Sequence, residues 1–122
     1  MDVLSYLNIQ VISKSKEQVE LAMLIEDFHK QPFGIMHGGM NGVLIETACS
    51  LGALEYLEPP VTVPVGLDLQ VNHLKSVSNG ELRVIASPLH VGKQTQVWQA
   101  DIYQSEQLTS TGRCTLINKT MK

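Results

Sequence analysis

The 122-residue sequence predicts an α+β domain in which an antiparallel sheet of five to six strands wraps around one long central helix. Three observations carry that expectation. Only residues 38–56 place apolar side chains at helical spacing; the segments on either side alternate with a period of two; and turn-forming residues separate those segments at short intervals.

Residues 7–12 alternate apolar and polar, and residues 19–24 are apolar with partial alternation, so both are expected to be strands, with residues 13–17 turning between them. In the helix, Val43, Leu44, Ile45, Ala48, Leu51 and Leu54 recur at helical spacing, and Pro59-Pro60 stops the chain a turn later. Beyond it, Val65, Leu67, Leu69 and Val71 are apolar against Gly66, Asp68, Gln70 and Asn72, the pattern of a strand with one wet or ligand-facing side. Asn79-Gly80 reads as a tight hairpin. Residues 81–89, 95–103 and 108–116 follow as three more strands, divided by turns at Val91-Gly92-Lys93 and Gln104-Ser105-Glu106. Everything after the helix is therefore expected to be an antiparallel meander. One helix covers one face only, and the free sheet edge that remains predicts pairing with a second copy, a homodimer at least.

Composition bounds the rest. At 43% hydrophobic and 17% charged residues, the chain can build one real core, and a single domain over residues 1–122 is expected. A net charge of -3, with 9 Lys+Arg, gives no electrostatic footprint for nucleic acid. Cys49 and Cys114 are too few for a disulfide framework and sit in apolar company suited to buried free thiols, which fits a reducing cytoplasmic setting. Met1-Asp2-Val3-Leu4-Ser5 lacks the regions of a signal peptide, and no apolar run approaches the roughly 18 residues of a membrane span, so the chain reads as soluble and unprocessed.

The informative segment is Gln31-Pro32-Phe33-Gly34-Ile35-Met36-His37-Gly38-Gly39, followed seven residues later by Glu46. Glu46 is a carboxylate among apolar helix residues, where burial without partners costs several kcal/mol, about 2 to 7 for a polar group. Its helical neighbours Gly42, Val43, Cys49 and Ser50 form a stripe of small residues, whereas Leu44, Ala48 and Leu51 form a stripe suited to the core. Such a small-residue strip can line a pocket. The helix pattern alone favours an acid on a solvated surface, because amphipathic helices commonly carry such acids. Gly38 and Gly39 shift that balance, because glycines at a helix start let a ligand approach the unsatisfied N–H groups of the first turn, which can hold a carbonyl oxygen gaining negative charge. Ser50 is not in a G-x-S-x-G elbow, no H-E-x-x-H or C-x-x-C occurs, and His29, His37, His73 and His90 lack close ligand spacing, so serine hydrolase, zinc and phosphate-loop chemistry are disfavoured.

Together with Val71-Asn72-His73-Leu74-Lys75-Ser76, Pro88-Leu89-His90-Val91-Gly92-Lys93-Gln94 and Val97-Trp98, these residues resemble the hotdog-fold acyl-CoA thioesterases. The likeness is to the subgroup acting on 4-hydroxybenzoyl-CoA and 1,4-dihydroxy-2-naphthoyl-CoA, of the phenylacetate-pathway thioesterase type. It runs over residues 7–116. The resemblance implies a hotdog fold, a dimer with a continuous sheet, and association of dimers into a tetramer. It implies that Glu46 attacks the thioester carbonyl or activates water, that the Gly38 N–H polarises the carbonyl, that Gln31 and His37 lie near the thioester, and that Thr47 or Ser50 positions the water. The site would lie between subunits, with Glu46 of one chain meeting Gln31 and Gly38 of the other. His73, Lys75, Ser76, Gly92 and Lys93 match positions near coenzyme A, which is part of the substrate; no separate cofactor or metal is implied. The chain reads as starting almost directly at its first strand, without the N-terminal helix that many relatives place over the acyl end. Gly42, Cys49 and Ala53 are expected to leave room for a bulky, aromatic acyl group. An acyl-CoA-binding module without catalysis, or a dehydratase of the same fold, are the rival readings.

Overall fold

The computed structural model describes residues 1–121. The chain opens on a four-residue helix, α1 (Val3–Tyr6), whose first turn is capped by the Asp2 carboxylate accepting from the Ser5 N–H at 3.0 Å. The sequence reads as starting almost directly at its first strand; a four-residue helix and a short turn precede that strand instead. Asn8, in the left-handed region at φ 57°, then breaks the alternation seen from residue 7, so the first strand, β1 (Gln10–Lys14), begins three residues later than expected. β2 (Val19–Leu24) follows, then a 3-10 turn (Asp27–His29), the helix α2 (Gly39–Leu54), β3 (Thr62–His73), β4 (Glu81–Val91), β5 (Thr95–Gln104) and β6 (Gln107–Thr120).

The six strands form one antiparallel sheet in the order β1-β2-β4-β5-β6-β3. β4, β5 and β6 make the expected meander, but β3 does not join it beside β4. Both edges of β4 are taken, by β2 and β5, and β3 pairs with β6 along its whole length from Thr62↔Thr120 to His73↔Ser110. Asn79-Gly80 is thus no hairpin between β3 and β4. Gly80, at φ +89°, turns the incoming loop onto β4, and its carbonyl accepts the Ile25 N–H at 2.9 Å at the end of β2.

A second departure lies within β3. Its register slips between Gly66 and Asp68, so simple alternation fails there. Gly66, Leu69 and Val71 turn toward α2, while Val65 stands opposite the exposed Ile117.

The sheet curls around α2, whose Leu44, Ile45, Ala48, Cys49, Gly52 and Ala53 are buried with Leu21, Met23, Leu82, Val84, Ile102, Cys114 and Leu116. The largest member of this core is Trp98. Its ring lies so close to the helix that a Cβ on Gly52 would stand 2.3 Å from Cζ3. Trp98 Nε1–H donates to Gln96 Oε1 at 2.9 Å, and Gln96 Nε2 in turn donates to the Ala53 carbonyl at 3.2 Å and to Asn118 Oδ1 at 3.1 Å. The buried polar atoms at the C-terminal end of the helix are thereby satisfied. Because the indole cannot retreat without breaking this chain, Gly52→Ala is expected to lower stability by about 2 kcal/mol, read as a lower urea midpoint with an unchanged m-value.

Candidate active site

Glu46 lies halfway along α2, half-buried, on the side of the helix that faces β3. It reaches the inner surface of the sheet at the one point where the strand offers no side chain. A Cβ on Gly66 would stand 2.5 Å from Glu46 Oε2 and 3.2 Å from its carboxyl carbon. The carboxylate therefore rests against the backbone of the β3 bulge. It is engaged in no ion pair among the described residues. With Thr47, Ser50, Gly39, Gly42, Val43, Leu51 and Leu69, and with Val3 and Leu4 of α1, it lines a groove of about 710 Å³.

The groove is built differently from the strip anticipated in the sequence. Cys49 and Ala53 do not line it; both are fully buried in the core, and Leu51, expected in the core, stands at the groove instead. Successive helix residues turn by about 100°, so Cys49, three places beyond Glu46, swings toward Cys114 and the sheet. Of the expected stripe Gly42, Val43 and Ser50 line the groove, and at Gly42 the Leu69 side chain comes within 3.4 Å of where a Cβ would be.

Gly38, Gln31, His73, Lys75 and Ser76 line a second, smaller cavity of about 260 Å³ beyond the start of α2. The loop before the helix is tied back on itself: the Gln31 N–H donates to the Ile35 carbonyl at 3.0 Å, the Gln31 carbonyl accepts from Gly34, and Gln31 Oε1 accepts from the Phe33 N–H. Gly34, at φ +89°, makes the turn possible and leaves Phe33 at its tip 88% exposed.

His37 is exposed, and its Nδ1 accepts the Gly39 N–H at 2.8 Å. The Gly38 N–H, at the N-cap of the helix, has no hydrogen-bond partner among the described residues. His37 thus occupies one of the two glycine donors and leaves the other open. His73 lies over Gly38, its Cε1 3.3 Å from the position of a Gly38 Cβ, and its Nδ1 accepts from Asn41 Nδ2 at 2.9 Å. That bond leaves His73 Nε2 as the donor toward the cavity.

The expected coenzyme A residues fall into two groups. His73, Lys75 and Ser76 share the smaller cavity, and Lys75 Nζ donates to Gln107 Oε1 at 2.7 Å. Gly92 and Lys93 form the β4–β5 turn, where their carbonyls accept from Asn118 Nδ2, both at 3.1 Å. Lys75 meets Thr109 near the start of β6 and Gly92 meets Asn118 near its end, nine residues or about 30 Å away. A single chain does not bring these two groups together.

Two residues that were not among the expected site residues shape the site. Gly66 was visible as a glycine inside a strand of good β formers, a signature of close backbone approach; Asn41 carried no comparable signal. Among the described residues, no three His, Cys, Asp or Glu side chains come together as a metal site, and no helix is long and apolar enough to cross a membrane.

The sequence over residues 33–111 matches the Thioesterase superfamily, and the chain belongs to that family. It is a thioester hydrolase with the hotdog fold. It is 37% identical over 114 residues to the 1,4-dihydroxy-2-naphthoyl-CoA hydrolase of Listeria monocytogenes, covering 93% of this chain and 92% of that protein. It is 31% identical over 104 residues to the proofreading thioesterase EntH of Cronobacter turicensis, covering 85% and 75% of the two. Two crystal structures of one Staphylococcus aureus thioesterase, one with a glutamate and one with a glutamine replaced by alanine, match with TM-scores of 0.95 and 0.92. Each is 34% identical, and they cover 98% and 96% of this chain and 100% and 98% of theirs.

Cys49 and Cys114 are free and buried beneath Glu46. Burial first, then the charges of Cys114 and Glu46, push the Cys49 thiol up; burial, then Glu46 and Asp68, push Cys114 up to about 12. Since the thiolate is the reactive form, both thiols are expected to resist Ellman's reagent at pH 8 in the folded protein and to react fully in guanidinium chloride. Titration of thiol colour with and without denaturant checks this.

Proposed function

We propose that the protein hydrolyses an aromatic acyl-CoA to the free acid and coenzyme A, at a site shared by two copies of the chain. One observation carries the reading: a carboxylate with no ion-pair partner among the described residues lies in a groove, and a glycine N–H that is open among them lies at the start of the same helix. The names of the Listeria and Cronobacter relatives, and the glutamate and glutamine chosen for replacement in the Staphylococcus thioesterase, support it.

The helix itself argues for two copies. Gly38 and Glu46 are eight residues apart, about 12 Å along the axis at 1.5 Å per residue. Groups acting on one carbonyl must both come within about 3 to 3.5 Å of the reacting atoms. The Glu46 of one chain therefore works with the Gly38 N–H and Gln31 of its partner. β3 supplies the means of pairing. It is a twelve-residue edge strand with one row of backbone groups unpaired, and Val65, Leu67 and Leu69 are exposed along it. A second β3 alongside would continue the sheet, and two such dimers make the tetramer.

In this arrangement the Gly38 N–H, at the positive end of the helix dipole, donates to the thioester oxygen. Glu46 either takes a proton from a water held by Thr47 or Ser50 or attacks the carbonyl carbon itself. On the first route the water oxygen bonds to the carbonyl carbon, the C–S bond breaks, and the proton held by Glu46 passes to the leaving thiolate. On the second a Glu46 oxygen bonds to the carbonyl carbon as the C–S bond breaks and coenzyme A leaves as the thiolate; water then cleaves the mixed anhydride, freeing the acid and restoring the Glu46 carboxylate, and the water's second proton passes to the thiolate. A thioester is electrophilic enough for one carboxylate and one donor to suffice. His37 keeps the Gly39 N–H occupied so that Gly38 is the donor. His73, Lys75 and Ser76 hold the pantetheine or nucleotide, with Gly92 and Lys93 contributed from elsewhere in the assembly.

Glu46→Gln is expected to reduce kcat at least about 100-fold toward an aryl-CoA while leaving the circular dichroism spectrum unchanged, as when an essential base or nucleophile is lost. Release of free thiol measures it, and a wild-type rate in the variant would mean another group does the work. Gly66→Ala tests the placement separately. The new methyl displaces the end of a flexible side chain rather than backbone, so the fold is expected to survive while kcat falls by about tenfold or more.

A further inference from the structure

His73 ends β3, and β6 fixes its backbone. It pairs with Ser110, the preceding Asn72 carbonyl accepts from Ser110 Oγ at 3.1 Å, and the Leu74 and Lys75 N–H groups both donate to the Thr109 carbonyl, at 2.9 and 3.1 Å. None of these bonds holds the ring. The side chain is exposed, the last torsion of a histidine has two broad wells, and either nitrogen of a neutral imidazole can carry the proton.

Asn41 removes both freedoms. It lies in the first turn of α2, is 6% exposed, and its Nδ2 stands 2.9 Å from His73 Nδ1. An amide nitrogen only donates, so Nδ1 is the acceptor and the ring proton sits on Nε2. Turning the ring over would put a carbon where Nδ1 stands and break the bond. The far edge of the ring lies over Gly38, where a Cβ would be 3.3 Å from Cε1 and 3.5 Å from Nε2. Nε2–H is thereby presented to the cavity of about 260 Å³ that His73 shares with Gln31, Gly38, Lys75 and Ser76. The helix gains nothing from the asparagine. Its start has no side-chain cap, and asparagine is a poorer helix former than alanine.

We propose that Asn41 is a positioning residue: its amide fixes the tautomer and the orientation of His73, so that an N–H and not a lone pair meets a carbonyl oxygen of the substrate's coenzyme A half. This rests on the reading that the carrier half of a thioester occupies the smaller cavity, and deepens it by naming the group that sets the polarity of that cavity's histidine. Asn41 acts through the ring, on a part of the substrate that does not change during the reaction. Its loss is therefore expressed in KM rather than in kcat.

Two variants test this. Asn41→Ala removes the bond, and Asn41→Asp offers a carboxylate that only accepts, which draws the proton to Nδ1 and leaves Nε2 a lone pair in the neutral ring. Alanine suits a helix by propensity and aspartate suits its first turn by the dipole, so both are expected to fold. Nitrogen-15 spectra of the imidazoles at about pH 8.5, above the ordinary histidine range, read the tautomer, and His73→Ala identifies the His73 signals. The wild type is expected to carry the proton on Nε2 and Asn41→Asp on Nδ1. Binding of S-methyl-coenzyme A, a thioether that cannot be hydrolysed, is expected to weaken about three- to tenfold in Asn41→Ala and about tenfold further in Asn41→Asp. In a His73→Ala background each substitution should change binding by less than about threefold, which separates the ring from the added charge. With benzoyl-CoA, KM should rise by the larger factors while kcat stays within about twofold. A wild-type ring protonated on Nδ1, equal losses in the two variants, or losses undiminished without His73 would overturn the proposal. A protein that cleaves no acyl-CoA but keeps the tautomer switch and the order of binding would discard hydrolysis alone; brisk turnover with binding indifferent to Asn41 would discard the positioning role alone.

Discussion

The structure turns on how closely one helix lies against the sheet around it. Glycine sets that distance at three contacts. Gly52 takes the edge of Trp98, Gly112 of β6 sits where a Cβ would come within 2.8 Å of Ile45 Cδ1, and Gly66 of β3 receives the Glu46 carboxylate. The first two lock the helix in rotation and in translation. A turn of one residue, about 100°, would drive Glu46 into the apolar core or out toward solvent, and overpacking at Gly52 and Gly112 opposes it. The carboxylate is held where it is by packing at distant points rather than by polar partners of its own.

That manner of holding it has a chemical consequence. A carboxylate fixed by an arginine or by several N–H donors has its oxygen lone pairs committed to those donors. Glu46 is engaged in no ion pair among the described residues. It is oriented by the wall behind it, and its oxygens remain available to a water or a carbonyl carbon. The glycine N–H at the helix start is left open by a parallel device, the capture of the neighbouring Gly39 N–H by His37. In the proposed reaction both groups are thereby kept free while their neighbours are satisfied.

Helix and strands were legible because hydrophobic periodicity is local: α2 appears within two residues of its expected ends, and the β4–β5 and β5–β6 turns fall where the turn residues stand. The position of β3 was not legible. Asn79-Gly80 is a strong local cue, yet pairing partners are decided by which edges remain open once β2, β4 and β5 are together. The Gly66 bulge and α1 were missed for a related reason, since a one-residue slip and a four-residue turn are both shorter than the window in which a period can be seen. In the site, Glu46 and Gly38 stood out as chemical oddities in an apolar helix and at its start. Gly66 and Asn41 act by proximity, by giving way to Glu46 and by donating to His73, and proximity across the fold leaves no mark on spacing.

The two cavities also give the substrate a direction. The smaller one is lined by Gln31, Asn41, His73, Lys75 and Ser76 and suits the hydrogen-bonding half of a molecule, whereas the groove along α2 turns aliphatic within a residue or two of Glu46. A thioester lying between them would place its polar carrier on one protomer's helix start and its acyl group along the other's helix flank. The bond to be cleaved would fall at the boundary, beside the carboxylate and the open amide. Neither cavity alone offers both groups to one atom, so in the proposed reaction an edge strand that would pair two copies and the division of polarity along the helix belong to a single requirement: the reacting carbon would have to meet a donor from one end of the rod and an acid from its middle.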